Sequence, residues 1–144
     1  MAIQEVLLDH ERLDVYNLAR ELARVGNVVV QQVPPGRADL VDQFRRTSLS
    51  VPLNIAEGAG EFAPKEKARF YRIAKRSATE CAAVIDHMID LNLLHPAEVK
   101  TTKLLLRRII GALVKLILST ERLTQPRPSS APAPTRKRVR APST

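Results

Sequence analysis

The polar side chains with the most regular spacing lie in RRTSLSVPLNIAEGAGE, residues 45–61. Arg46, Ser50, Asn54 and Glu57 recur every three or four residues, which places them on one side of a helix. We interpret this polar row as structural, with Asn54 and Glu57 paired within a bundle or across a subunit boundary. The alternative is a catalytic site around these two residues, because a positioned carboxylate can act as a general base.

A second set of side chains has the charge needed to bind phosphate. Five cations fall within about 120° of a helical wheel, and they are Lys65, Arg69, Arg72, Lys75 and Arg76. Further along the chain, the same sign of charge is added by Lys100, Arg107, Arg108, Arg136, Lys137, Arg138 and Arg140. With Tyr71 as the one plausible platform for base stacking, the pattern predicts contacts to nucleic-acid backbones without base recognition. A solvated helix face is the alternative.

Other chemistry finds no support in the sequence. None of the three histidines has a glutamate three residues earlier, so the Glu-x-x-His motif of carboxylate-bridged metal centres is absent. The five glycines form no phosphate-binding loop. Cys81 falls on an apolar helical stripe, where a cysteine is expected to be an inert core residue. The sequence therefore predicts a protein that is not an enzyme and holds no metal or cofactor.

The charge is unevenly distributed. The net charge is +8 and the pI about 10.3, which indicates an anionic partner. Residues 125–144 contain five cations and no acid, together with five prolines, so they are predicted to be a disordered tail after a folded domain of residues 1–124. The N-terminus lacks a signal-peptide pattern, and arginines interrupt the most apolar stretch, so we expect a cytoplasmic protein outside the membrane.

Four periodic segments are predicted to form helices, over residues 9–32, 38–61, 64–94 and 96–124. Prolines and glycines separate them, and few aromatics are available for a core, so we predict an all-α, up-and-down four-helix bundle. The inward stripe of the third segment includes Phe70 and Cys81. On the second segment, an additional stripe of Leu49, Leu53 and Ala56 is not explained by the core-facing side. The fourth segment is apolar over about 200°, so it is either central in the bundle or also packed against another subunit, and an oligomer held by the second and fourth segments is expected.

The second and third segments resemble a known family. Their signature combines a Gln-x-Arg-Arg element, a Ser-Val-Pro-x-Asn-Ile-Ala-Glu-Gly block and a basic helix with an aromatic residue. The matching residues are Gln43, Arg45, Arg46, Ser50, Val51, Pro52, Asn54, Ile55, Ala56, Glu57, Gly58, Phe70, Ile73, Ala74, Ser77 and Glu80. This pattern resembles the small four-helix-bundle proteins of intervening sequences in large-subunit ribosomal RNA genes.

The resemblance implies a bundle that assembles as a ring, commonly a pentamer. It also implies that the proline within the second helix is a designed kink, where nearby hydroxyl groups satisfy the carbonyl of Ser48 that Pro52 leaves free. A relative with a similar fold is the accessory protein of diversity-generating retroelements, which binds a reverse transcriptase and nucleic acid. We therefore expect an oligomer that binds nucleic acid or a nucleic-acid-processing protein. A scaffold for a protein partner such as a reverse transcriptase is the alternative.

Overall fold

The chain folds into four long helices in the computed structural model, which describes residues 7–126. The helices are α1 (Asp14–Val30), α2 (Ala38–Gly60), α3 (Pro64–Asp90) and α4 (Lys100–Arg122). Short 3-10 helices at Asp9–Arg12 and Pro96–Val99 precede α1 and α4. Residues 7–126 contain no strand, so the predicted all-α fold is confirmed. Most of the predicted tail, from residue 127 onward, lies outside the described residues.

Each helix packs against the next along the chain, and α1 also contacts α4, which closes the bundle. The contact between α2 and α3 is the most extensive. Short connections at residues 31–37 and 61–63 make successive helices antiparallel. One end of the bundle therefore holds the end of α2, the start of α3 and the end of α4.

The core consists of aliphatic side chains contributed by all four helices. Leu22, Ile55, Ile85 and Leu113 are fully buried, one from each helix. The wide apolar arc of α4 is only partly used, because Val114 and its exposed neighbours Leu104 and Leu118 remain in solvent. This arrangement leaves apolar surface on the outside of α4.

The third helix is rotated relative to the sequence prediction at its aromatic pair. Tyr71 is 3% exposed and belongs to the core, whereas Phe70 is only half-buried. The prediction that Phe70 faces the core is therefore wrong, and so is the use of Tyr71 as an open platform for base stacking. The side of α3 that α2 covers decides which of the two adjacent rings is buried.

Cys81 lies in the core as the apolar stripe predicted, with no exposed surface. Burial raises the pKa of its thiol to about 12, although a hydrogen bond from Thr47 opposes the shift. Because the thiolate is the nucleophilic form, burial and the raised pKa both disfavour reaction at this cysteine. Among residues 7–126, no helix is both long enough and apolar enough to cross a bilayer.

Gly26 permits a close approach between α1 and α2. A Cβ atom at this position would lie 2.6 Å from Cε1 of Phe44, whose side chain is fully buried. Gly111 on α4 is also helical, but a Cβ there would meet no atom within 4 Å. Gly26 and Gly111 therefore share a helical backbone and differ in the space around the Cβ position, which is filled at Gly26 and open at Gly111.

We expect Gly26→Ala to lower the free energy of unfolding by about 1–3 kcal/mol, because the added methyl group forces Phe44 out of its position. Gly111→Ala is the matched control and should raise it by roughly 0.5–1 kcal/mol, since alanine is the better helix former. Urea denaturation followed by circular dichroism measures both. Equal effects of the two substitutions would contradict the tight packing at Gly26.

Candidate functional site

The polar row of α2 is used to attach α3. The hydroxyl groups of Ser50 and Ser77 form a 2.8 Å hydrogen bond between the two helices. Asn54 donates from Nδ2 to the carbonyl oxygen of Ser50 at 2.8 Å and to its Oγ at 3.0 Å. Asn54 thus holds the Ser50 hydroxyl towards α3.

Glu57 does not take part in this network. Its side chain is exposed, as is that of Arg46 on the same side of α2. The predicted pairing of Asn54 with Glu57 is wrong within the chain, because the amide of Asn54 turns back to Ser50 one turn earlier. A pairing of Glu57 across a subunit boundary stays a prediction.

Pro52 is buried inside α2, and the helix continues through it from Ala38 to Gly60. Hydroxyl groups do bond to nearby carbonyls. Thr47 donates to the carbonyl oxygens of Gln43 and Phe44 at 2.9 and 3.1 Å, and Ser48 to that of Arg45 at 3.1 Å. These carbonyls lie about one turn before the Ser48 carbonyl that the proline leaves free, so the predicted contact to Ser48 is not among them.

Gly58 is the second glycine that permits a close approach between helices, here between α2 and α3. A Cβ atom there would lie 2.7 Å from Cε1 of Tyr71, so only a glycine admits the buried ring. In the same turn, Lys67 donates from Nζ to the carbonyl oxygens of Gly58 and Ala59 at 3.2 and 2.8 Å. A cation at this place satisfies the free carbonyls at the end of α2. Neither role was predicted from the sequence, although a glycine inside a helical pattern is a signal for close packing.

These contacts form a continuous line between the helices, which we call the α2–α3 seam. It comprises the hydrogen bond of Gln43 to Glu80, that of Ser50 to Ser77, and the contacts of Gly58 with Tyr71 and Lys67. Gln43, Ser50, Gly58, Ser77 and Glu80 all belong to the signature quoted above. The signature therefore encodes the register of two antiparallel helices, and this is a structural reason for its length.

The basic stripe of α3 is less free than its sequence suggests. Arg69 forms a 3.0 Å salt bridge with Glu66 and lies over the ring of Phe70, with Cζ 4.4 Å from the ring centroid. Arg72 is paired with Glu121 of α4. Lys65, Lys75 and Arg76 have no carboxylate within 4.0 Å among residues 7–126. Arg72, Lys75 and Arg76 line one shallow groove on the outer surface of α3.

The fourth helix carries the larger excess of positive charge. It contains six cations and one carboxylate. Lys103 is paired with Asp86 of α3. The predicted Lys100, Arg107 and Arg108 are exposed and unpaired within residues 7–126, as are Lys115 and Arg122, which were not among the predicted binding residues. The excess of cations over carboxylates in α4 was the sequence signal that could have identified these two residues.

The two groups of cations lie on the neighbouring helices α3 and α4. The pairs Arg72–Glu121 and Lys103–Asp86 show that the start of α3 lies beside the end of α4. The α3 stripe is thus nearest to Lys115 and Arg122, whereas Lys100 lies towards the other end. Arg136, Lys137, Arg138 and Arg140 lie outside the described residues.

The additional stripe of α2 faces solvent, as expected of a surface that the core does not use. Leu49 and Leu53 are 53% and 55% exposed, and Ala56 is half-buried.

Among residues 7–126, no group of three or more His, Cys, Asp or Glu side chains is placed to hold a metal ion.

The fold and the α2–α3 seam define a four-helix bundle of the class that the signature predicted. The family model of the 23S rRNA-intervening sequence protein matches residues 11–115, and the chain belongs to this family. The match includes the whole seam and most of α4, so the predicted family is confirmed. No curated protein matches the sequence. The relation to the retroelement accessory protein stays a prediction.

We expect Asn54→Ala to lower the free energy of unfolding by roughly 1–2 kcal/mol, because it leaves polar groups of the seam unpaired. Glu57→Ala, one turn away and exposed, is the control and should change it by less than about 0.5 kcal/mol. Chemical denaturation of both variants in the same buffer checks this. A larger loss for Glu57→Ala than for Asn54→Ala would show that Glu57 has a partner across a subunit boundary.

Proposed function

We propose that this chain is a non-enzymatic, cytoplasmic oligomer that binds the backbone of RNA or DNA through its basic surface. The observation that carries the proposal is the exposed side of α4, where Lys100, Arg107, Arg108, Lys115 and Arg122 have no carboxylate partner within residues 7–126. When such cations neutralise phosphates, they release the counterions condensed on the nucleic acid, and this release favours binding at low salt. The unpaired Lys65, Lys75 and Arg76 of α3 extend the same surface.

The proposed contact recognises phosphate and not base sequence. Bases are recognised by stacking on aromatic rings or by hydrogen bonds to their edges. Tyr71 is buried, and Phe70 is partly covered by Arg69. The surface therefore offers charge and few planar groups, which supports weak binding with a steep dependence on salt.

The exposed stripe of Leu49, Leu53 and Ala56 supports self-association, with a pentameric ring as the form that the family resemblance implies. In such a ring, the basic surface would repeat around the assembly. The same stripe also supports the second candidate function, a scaffold that binds a protein partner such as a reverse transcriptase. The two functions differ in whether nucleic acid binds to the purified protein.

The full chain should bind labelled RNA and DNA at about 50 mM salt and lose most of this affinity by about 300 mM, because each neutralised phosphate contributes about 0.9 to the salt slope on duplex DNA and about 0.7 on single strands. Fluorescence anisotropy measures both quantities. Arg107→Glu with Arg108→Glu should weaken binding at least about tenfold at the lowest salt and reduce the slope by about 1–2.

The matched control is Arg20→Glu with Arg24→Glu, the same change of charge on exposed positions of α1, which should alter the affinity much less. Truncation after Thr124 should reduce both affinity and slope but leave residual binding. If neither polymer binds at the lowest salt while the oligomer is intact, the protein scaffold becomes the preferred function.

Light scattering at micromolar concentration should give a mass several times 16.0 kDa. Leu53→Glu places a charge in the exposed stripe and should dissociate the assembly without reducing helical content, because this side chain makes no contribution to the core. Val28→Glu, on a similarly exposed valine of α1, is the control and should leave the mass unchanged. A monomeric parent chain would contradict the oligomer.

A further inference from the structure

A cleft opens at the end of the bundle where α2 ends, on a side that the basic surface does not use. It is lined by Asp9, Glu61, Phe62, Lys67 and Tyr71, together with apolar atoms of Leu13 and the last residues of α2. Its polar groups come from three segments of the chain that only the bundle brings together: the first 3-10 helix, the residues after α2, and α3. Two of these polar groups are carboxylates.

The lone cation of this lining is already engaged. Lys67 donates to the carbonyl oxygens of Gly58 and Ala59 at 3.2 and 2.8 Å. Neither Asp9 nor Glu61 has a cation within 4.0 Å among residues 7–126. The cleft therefore presents negative charge without an internal partner.

The buried Tyr71 supplies the second feature that indicates a ligand. The residue is 3% exposed, so its ring is buried, while its hydroxyl group is open to the cleft and has no hydrogen-bond partner among residues 7–126. A phenolic hydroxyl in the wall of a cleft can donate a hydrogen bond to a ligand or accept one from it. At the rim, Phe62 is 98% exposed, so an aromatic ring stands in solvent beside the two carboxylates.

The combination fits a guanidinium group. Arginine pairs with carboxylates through a planar set of N–H donors, donates to a phenolic oxygen, and stacks on an aromatic ring. The end of a helix such as α2 also carries partial negative charge, which favours a cation. A phosphate or a carboxylate ligand would instead meet like charge.

The chain itself contains such groups within reach. Because α4 ends at the same end of the bundle as α2, the residues that follow it start near the cleft. Residues 123–135 separate α4 from Arg136, and thirteen residues in extended form span about 43 Å. Neighbouring helix axes are only about 8–10 Å apart, so this length is sufficient. Residues 1–6 offer Glu5 and no cation, which does not complement the cleft.

We propose that the arginine-rich segment 136–140 of this chain docks in the cleft between Asp9, Glu61 and Tyr71, within one protomer or between neighbours. A docked segment has its charges neutralised and is withheld from phosphate. Nucleic acid and the cleft then compete for the same arginines, so the tail's contribution to binding is regulated by this contact. The proposal concerns a different surface from the one assigned to nucleic acid.

Energy transfer in the full chain tests the docking. The sequence has no tryptophan, so Phe62→Trp introduces a single donor while keeping an aromatic ring in the cleft. Ser143→Cys introduces an acceptor site that a thiol-reactive dye labels selectively, because Cys81 is buried with its pKa raised to about 12. We expect strong transfer at low salt that falls at least twofold when Asp9→Lys and Glu61→Lys are added.

Reversing the partner charges separates docking from general attraction. Arg136→Glu with Arg138→Glu should lower the transfer to the same extent, and combining these with the two lysine substitutions should restore it. Asp42→Lys, an exposed carboxylate at the opposite end of α2, is the control and should leave transfer unchanged. If the lysine variant does not fold by circular dichroism, the tail variant alone still decides. Low transfer in the parent chain, or a loss that the combined variant does not restore, would overturn the proposal.

Discussion

The close antiparallel contact of α2 with α3 is the constraint on which the rest of the bundle depends. It requires a bare backbone at Gly58, where the ring of Tyr71 fills the space that a side chain would take. Hydrogen bonds from Gln43 to Glu80 and between Ser50 and Ser77 fix the register along the remaining length. A shift of either helix by one residue would break all three contacts at once. The seam therefore specifies one alignment, where aliphatic packing by itself would tolerate several.

Register at the seam determines where the functional groups lie. Because the ring of Tyr71 packs against Gly58, the ring of the preceding residue, Phe70, is turned towards the surface beneath Arg69. The same rotation brings Arg72 to Glu121 and leaves Lys75 half-buried and Arg76 exposed. At the end of the seam, Lys67 binds the last carbonyls of α2 and leaves Asp9 and Glu61 unpaired. The charge pattern of the surface thus follows from the way α2 and α3 pack in the interior.

Charge pairing explains why α4 contributes more to the proposed interface than α3. Of the five cations predicted on α3, two are paired with glutamates, whereas Lys103 is the one α4 cation with a carboxylate partner within residues 7–126. The α4 helix has a single carboxylate, Glu121, which is used by Arg72. Its outer side is left with unpaired cations beside exposed leucines, a combination that suits contact with a partner more than isolation in solvent.

The sequence by itself determined the four helices, the family and most of the core positions. Helical periodicity and proline punctuation are local properties, so α2 and α3 begin where the pattern predicted. It placed Cys81 correctly because burial there follows the apolar stripe. It could not choose between Phe70 and Tyr71, since adjacent residues differ by only 100° on a helix and the choice depends on Gly58 of another helix. The tertiary structure likewise decided which cations lack a partner and which carboxylates meet at the cleft, because both depend on distances between residues that are far apart in the chain. It also decided that Asn54 bonds to Ser50, since the sequence offers Asn54 other partners equally close along the helix.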